Sequence, residues 1–405
     1  MIAVHQLSPA LFERLATGDG GVEAVRELRE AQFSKHLMLI RYLLDQNPAA
    51  HALLDRARDA APDRFRDIIG APLVGGWAAI AGRAAMQDKL DPADLGHLNA
   101  IAIVAAAAAG IDASAEIPVH HGLAVLPGVG AVEAGDATSV TVTTTHGRLR
   151  PATGGWLPVR DLTASSHGQV IRIGLDDLHP YRHGHHVPPA NRLTDAEIER
   201  WRTSFTEAWR LLATHLPDRA AELAAGLETL VPLQQLDPRS ARSATIRHAF
   251  GVFGLTLPPT PHDFAVTLVH EFHHSKLSAI LDLTELTDPD DKGRYFAPWR
   301  TDPRPLAGLL QGVYAFAGVA DTWRGLRPEI PAATARFAEA RLQVDRGLTA
   351  VEDSGALTPV GETFVASLRQ TANRLLAEPL PPGADEAARA ALARTYAAWQ
   401  NRNAA

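Results

Sequence analysis

The run DFAVTLVHEFHHSKLSAILDLTEL, residues 263 to 286, contains neither glycine nor proline, so nothing in it interrupts a helix. Inside it lies His270-Glu271-Phe272-His273-His274, an HExxH pattern with apolar flanks at Leu268, Val269 and Leu277. A spacing of four residues is one helical turn. It projects the His270 and His274 imidazoles from one face, where they can share a cation, and sets Glu271 beside the open coordination position. His273 also lies on the side of His270, but the 270/274 pair fits the pattern better.

Outward from that helix the texture is uneven. Ser8-Pro9 reads as an N-cap with proline at the first helical position. Val25, Leu28, Phe33, Leu37, Ile40 and Leu43 fit a long helix over 22 to 46, and Leu95 to Ile111 a further core helix. From about Ile117, β-branched residues rise. Leu123-Leu126, Ser139-Thr145, Trp156-Val159 and Val170-Leu175 are short strand-like runs divided by Pro-Gly, His-Gly and Gly-Gly turns. Thr194 and Glu197 form a capping box, and the rest reads as helix, including Pro305 to Arg324 and three C-terminal helices. The expected fold is therefore α+β, mostly α-helical, with an inserted β-rich segment and a zincin-like HExxH helix, not a double-stranded β-helix. It is expected to form a single compact domain over 1–405, with a helical N-terminal region (1–116), a β-rich segment (117–190) and a helical metal-binding and C-terminal region (191–405).

Composition narrows the chemistry. The chain has 405 residues, 46% hydrophobic and 21% charged, which is ordinary globular usage. It has 39 basic against 46 acidic residues, net −7, so no global basic field favours nucleic acid or an anionic membrane, and neither is expected as a partner. With no cysteine, thiol nucleophiles, zinc ribbons and iron–sulfur clusters are excluded. Residues 1 to 6 show no signal peptide and no run is long enough to span a bilayer, so a cytoplasmic location is expected.

Two histidines do not complete a metal site. The HExxHxxGxxH extension is absent, since position 280 is Ile, and Pro305 to Arg324 contains no Glu, which counts against an ordinary zinc peptidase. Asp321 is the one carboxylate in the body of that helix. With His270 and His274 it would make the 2-His-1-carboxylate set associated with Fe(II) oxygenases; Gln311 is the alternative third ligand. Gly308, Gly312 and Ala315 form a small-residue stripe that would let this helix approach the metal helix closely. Asp302-Pro303 reads as a helix N-cap, and Arg300 and Arg304 offer forks for a carboxylate. Tyr181-Arg182 could line the pocket. The His183-Gly184-His185-His186 tract reads as a solvated loop, and His120-His121 carries no metal signal.

The segments 270–277 (HEFHHSKL), 297–306 (APWRTDPRPL) and 309–315 (LLQGVYA) together resemble the bacterial HEXXH-motif domain family. Its members are described as 2-oxoglutarate-dependent HExxH-type peptide β-hydroxylases, free-standing or fused to radical SAM cyclophane-forming maturases of ribosomally made peptides. The segments 175–182 and 243–251, with Ser243-Ala244-Thr245, look like further family landmarks, whereas His273 and His179 stand where Gln and Asp are expected. The resemblance implies Fe(II) at His270 and His274, 2-oxoglutarate and O2 as co-substrates, and hydroxylation of Cβ in a precursor peptide, in some cases one already modified by a radical SAM maturase. Arg300 or Arg304 would then anchor the distal carboxylate of 2-oxoglutarate, Glu271 would orient a ligand or bound water, and a sheet edge within 117–178 could take on a strand of peptide. The competing expectations are a zinc metallopeptidase with Glu271 as general base, and a non-catalytic peptide binder with a structural metal.

Overall fold

Five of the first six helices begin with proline in their first turn, where the missing N–H has no partner to lose: α1 (Pro9–Ala16), α3 (Pro48–Ala60), α4 (Pro62–Gly70), α5 (Pro72–Met86) and α6 (Pro92–Ala108), with α2 (Gly21–Leu44) the exception. Ser8, Asn47 and Asp91 side chains accept from the first-turn amides of α1, α3 and α6. The computed structural model describes residues 5–182, 187–237 and 241–403. The chain is a mostly helical α+β protein, 56% helical, with 13 helices and two sheets among the described residues. No single helix among them is long and apolar enough to cross a membrane. Residues 1–4 and the His183–His186 tract lie outside the described residues.

The β-rich region starts at Ala113 and feeds both sheets. β1 (Ala113–His120), β2 (Leu123–Leu126), β3 (Gly130–Glu133), β4 (Ser139–Thr145), β5 (Arg148–Pro151) and β6 (Trp156–Pro158) form one sheet in the order β5-β4-β1-β2-β3-β6. β7 (Arg160–Ser166) and β8 (Gln169–Leu175) belong to the other. Three hairpins turn on two-residue His-Gly loops, at His121, His146 and His167 and the glycine after each. Both loop residues have positive φ, near 50° for each His and 74–78° for each Gly, as a tight two-residue hairpin requires. These histidines are therefore turn residues.

The expectation that everything after Thr194 is helical needs correction. After α7 (Asp195–His215) and α8 (Pro217–Gly226) come β9 (Thr229–Pro232), β10 (Ser243–Thr245) and β11 (Val252–Leu255), which complete the second sheet in the order β10-β11-β9-β8-β7. These strands are three or four residues long and fully or half buried, so they carry no in/out alternation for a sequence reading to find. The β-rich segment is thus not a separate insertion: its last two strands share a sheet with downstream chain. The rest is α9 (Pro261–Leu281), α10 (Leu306–Leu326), α11 (Ala333–Glu352), α12 (Pro359–Ala377) and α13 (Ala384–Asn403). Two large apolar cores and three smaller clusters result among the described residues. One joins α3 to α6 and the first sheet to the C-terminal half of α2. The larger joins α7 to α12 and the second sheet to α1 and the start of α2.

Candidate metal centre

α9 is capped by the Thr260 hydroxyl, which accepts from the Asp263 amide at 3.1 Å, with Pro261 in the first turn. The helix carries three functional faces. Leu268, Phe272 and Leu277 enter the larger core. His273 and Lys276 face α8 and the turn between α1 and α2: the buried Lys276 ammonium donates to Glu222 at 2.8 Å and to the Gly18 carbonyl at 2.9 Å. His270, Glu271, His274 and Ser278 face a cavity of about 480 Å3.

In that cavity the His270 and His274 rings stand 4.7 Å apart, nearly perpendicular. His274 Nδ1 donates to Gln311 Oε1 on α10 at 3.0 Å, and the Gln311 amide reaches Ser278 Oγ at 3.4 Å. Because a carbonyl oxygen can only accept, His274 carries a proton on Nδ1, so the nitrogen left to bind a metal is Nε2. Burial, reinforced by the neighbouring His274 and partly opposed by Glu271, lowers the His270 pKa to about 4, so this imidazole is neutral near pH 7.

Glu271 is 2% exposed. Ser243 Oγ donates to its Oε1 at 2.7 Å and Thr245 Oγ1 to its Oε2 at 2.6 Å. Burial pushes this carboxyl up, but His270, His274 and the two hydroxyls outweigh it and hold it below the usual range. Its Oε1 lies 3.8 Å from His270 Nε2. A strand explains the pair of hydroxyls: residues 243 and 245 are two apart in β10 and so share a face. The sequence singles out Ser243-Ala244-Thr245 only as a landmark; the Ser-x-Thr alternation is the signal for its role.

The facing wall is α10. Trp299 stacks on Phe316 with centroids 4.4 Å apart, and the Phe316 ring stands edge to face with His270 at 5.5 Å. The small-residue stripe serves a different end from the one expected. A Cβ at Gly312 would collide with the Trp299 indole, and one at Gly308 would sit 3.1 Å from Arg304 Nη2. Gly318 is where α10 comes close to α9, its space filled by His273.

Arg300 and Arg304 both line the cavity, and so does Arg247, which the sequence reading missed. Arg300 Nε lies 2.8 Å from Asp302 Oδ1 and Arg304 Nη1 3.7 Å from Oδ2. Asp302 is therefore the arginines' counter-ion and not a helix cap: α10 starts at Leu306, after Pro305. Arg247 Nη1 donates to the Ser278 carbonyl at 3.0 Å and pairs with Asp282 at 2.9 Å.

Asp321, expected as the third ligand, stands outside this site. It follows Gln311 by ten positions, about 15 Å along a helix, and lines a separate cavity with Asp19 and Arg374. Its Oδ2 accepts from Arg219 Nε and Nη2 at 3.2 and 3.1 Å, and its Oδ1 from Arg324 at 2.8 Å. Burial raises this carboxyl, and the two arginines more than offset it. Tyr181 is also elsewhere, buried in the smaller core with its hydroxyl 2.5 Å from Asp94. Among the described residues, no group of three or more His, Asp or Glu side chains is arranged to hold a metal ion. No protein-family model matches the chain, and no curated protein does.

Proposed function

We propose that the chain is an Fe(II)- and 2-oxoglutarate-dependent oxygenase that hydroxylates the Cβ of a residue in a ribosomally synthesised precursor peptide. Two of the donors such a metal takes stand together: a pair of imidazoles shares one wall of an open cavity, and the far nitrogen of one is hydrogen-bonded to an amide, as metal-binding histidines usually are.

The observation that carries the choice of chemistry is the state of Glu271. A peptidase needs this carboxylate as a proton acceptor. Here both oxygens are engaged by strand hydroxyls, Ser243 Oγ on Oε1 and Thr245 Oγ1 on Oε2, and the carboxylate is buried. That ties Glu271 to β10 as a fixed acceptor and leaves it less free to shuttle a proton. In the proposed enzyme His270 and His274 would hold the iron, and Gln311 would orient His274 rather than ligate. Glu271 would bias His270 electrostatically, and Arg300 or Arg304 would hold the distal carboxylate of 2-oxoglutarate. Bound iron, 2-oxoglutarate and O2 together supply the oxidising power for C–H hydroxylation. The Trp299–Phe316 stack presents an apolar wall beside His270.

The test is anaerobic loading with Fe(II) followed by optical titration with 2-oxoglutarate. A weak visible charge-transfer band, absent from His270→Ala, is expected. No band, together with tightly held zinc and zinc-dependent peptide cleavage, would establish the metallopeptidase reading instead.

A further inference from the structure

Resting on the peptide-oxygenase reading, we propose that the outer edge of β10 receives an extended segment of the substrate polypeptide as a sixth strand of the second sheet. This strand would lie across the His270 and His274 cavity.

β10 is the terminal strand of its sheet and pairs antiparallel with β11, Ser243 opposite Leu255, Ala244 opposite Gly254 and Thr245 opposite Phe253. The Thr256 amide donates to the Arg242 carbonyl at 2.8 Å. That bond fixes the phase of the ladder: residues 242 and 244 turn their backbone groups towards β11, and residues 243 and 245 turn theirs outward. Among the described residues, the N–H and C=O groups of Ser243 and Thr245 have no backbone partner on that side. Their side chains, meanwhile, are tied to Glu271. The same two residues thus anchor the strand to α9 and present four unpaired backbone groups, with a repeat of about 6.8 Å.

Position distinguishes this edge from the others. Of the four edge strands β5, β6, β7 and β10, only β10 contributes residues to the metal-facing cavity. This relocates the sheet-edge expectation from 117–178 to a strand outside that segment. Ser243, Ala244 and Thr245 carry neither charge nor proline, two of the devices that keep an edge from pairing. All three line the cavity and are half-buried. An extended chain there gains affinity from main-chain bonds and leaves alternate side chains to enter the cavity.

The test selects heptapeptides from a random displayed library on the full-length protein. The best is then resynthesised with each backbone amide N-methylated in turn, and its affinity is measured by fluorescence anisotropy. Edge pairing is expected to give losses of about tenfold at alternate amides only. Losses at every position or at none, or no peptide enriched, would overturn the proposal. Ser243→Pro deletes one outward N–H, leaves the bonds of residues 242 and 244 to β11 in place and also loses the hydroxyl bond to Glu271, which Ser243→Ala removes alone; the proline variant is expected to bind the same peptide about tenfold more weakly than Ser243→Ala, and equal affinities in folded variants would count against the edge. Should circular dichroism show that the proline variant does not fold, the scan on the unaltered protein decides. Neither readout needs iron, 2-oxoglutarate or oxygen. Alternating losses without the charge-transfer band would keep the edge and overturn the oxygenase, and the band without alternation would do the reverse.

Discussion

Gln311 accepts the Nδ1 proton of His274 at 3.0 Å, so an amide on α10 sets the tautomer of an imidazole on α9. Removing such a partner from a metal-binding histidine typically weakens metal binding 10- to 100-fold, roughly, while leaving the ligand itself in place. Gln311→Ala is expected to lower Fe(II) or Zn(II) affinity by about that factor, measured by chelator competition, with the far-ultraviolet circular dichroism unchanged. Gln311→Glu places a carboxylate on the same proton and is expected to bind metal at least as tightly as the parent. If Gln311 were instead a metal ligand, the Ala variant would lose binding more completely than this range.

Ser243 and Thr245 each give a hydroxyl proton to the buried Glu271 carboxylate. A hydrogen bond to a buried charge contributes roughly 1.5–3 kcal/mol. Thr245→Val keeps the shape and removes the donor, so about that loss of stability is expected in urea unfolding. The loss should shrink in a Glu271→Gln background, where the acceptor is no longer charged; equal losses in both would show that the hydroxyl's partner is not the carboxylate.

How much of this was legible beforehand depended on periodicity. The HExxH helix, its two cavity-facing histidines and the shift to sheet near residue 117 all follow from spacing or turn chemistry. β10 did not: three residues of Ser-Ala-Thr are too short for an alternation to register, and their role comes from a carboxylate 26 to 28 positions downstream. Asp321 misled for the opposite reason. It is the one acid in the body of α10, but its partner Arg219 is 102 positions away, and no local pattern announces that ion pair. Gly312 reads as a helix contact because helix approach is the common use of a small residue; a tryptophan from the preceding loop takes the space.

That tryptophan makes Gly312 sensitive. Even a methyl group at this position has to displace the Trp299 indole or move α10, and overpacking of this kind costs about 1–3 kcal/mol. Gly312→Ala is expected to lower the melting temperature and to disturb the Trp299–Phe316 stack beside His270. Intrinsic fluorescence, compared with Trp299→Phe, reports the second effect. A variant as stable as the parent with unchanged emission would mean that the indole does not sit on Gly312 in solution.

His36 sets an acid limit on the fold. Its Nδ1 donates to the Ile69 carbonyl at 3.0 Å, the ring is 1% exposed and fills the space above Gly75, and burial lowers its pKa to about 4, partly opposed by the bond to Ile69. An unfolded histidine titrates near 6.5. Between those values the unfolded chain takes up a proton that the folded chain refuses. The stabilisation is therefore fully present above about pH 6.5 and is lost as pH falls towards 4. The loss from this one group approaches 1.4 kcal/mol per pH unit in that window, about 3 kcal/mol in all. His36→Gln retains a donor for Ile69 but cannot titrate. Urea unfolding at pH 7 and pH 5 should show the variant losing less stability on acidification than the parent does, by roughly 2 kcal/mol. Parallel losses would mean that His36 is protonated in the folded protein, and that the acid response comes from the other buried imidazoles, His97, His270 and His273, whose pKa values burial also depresses.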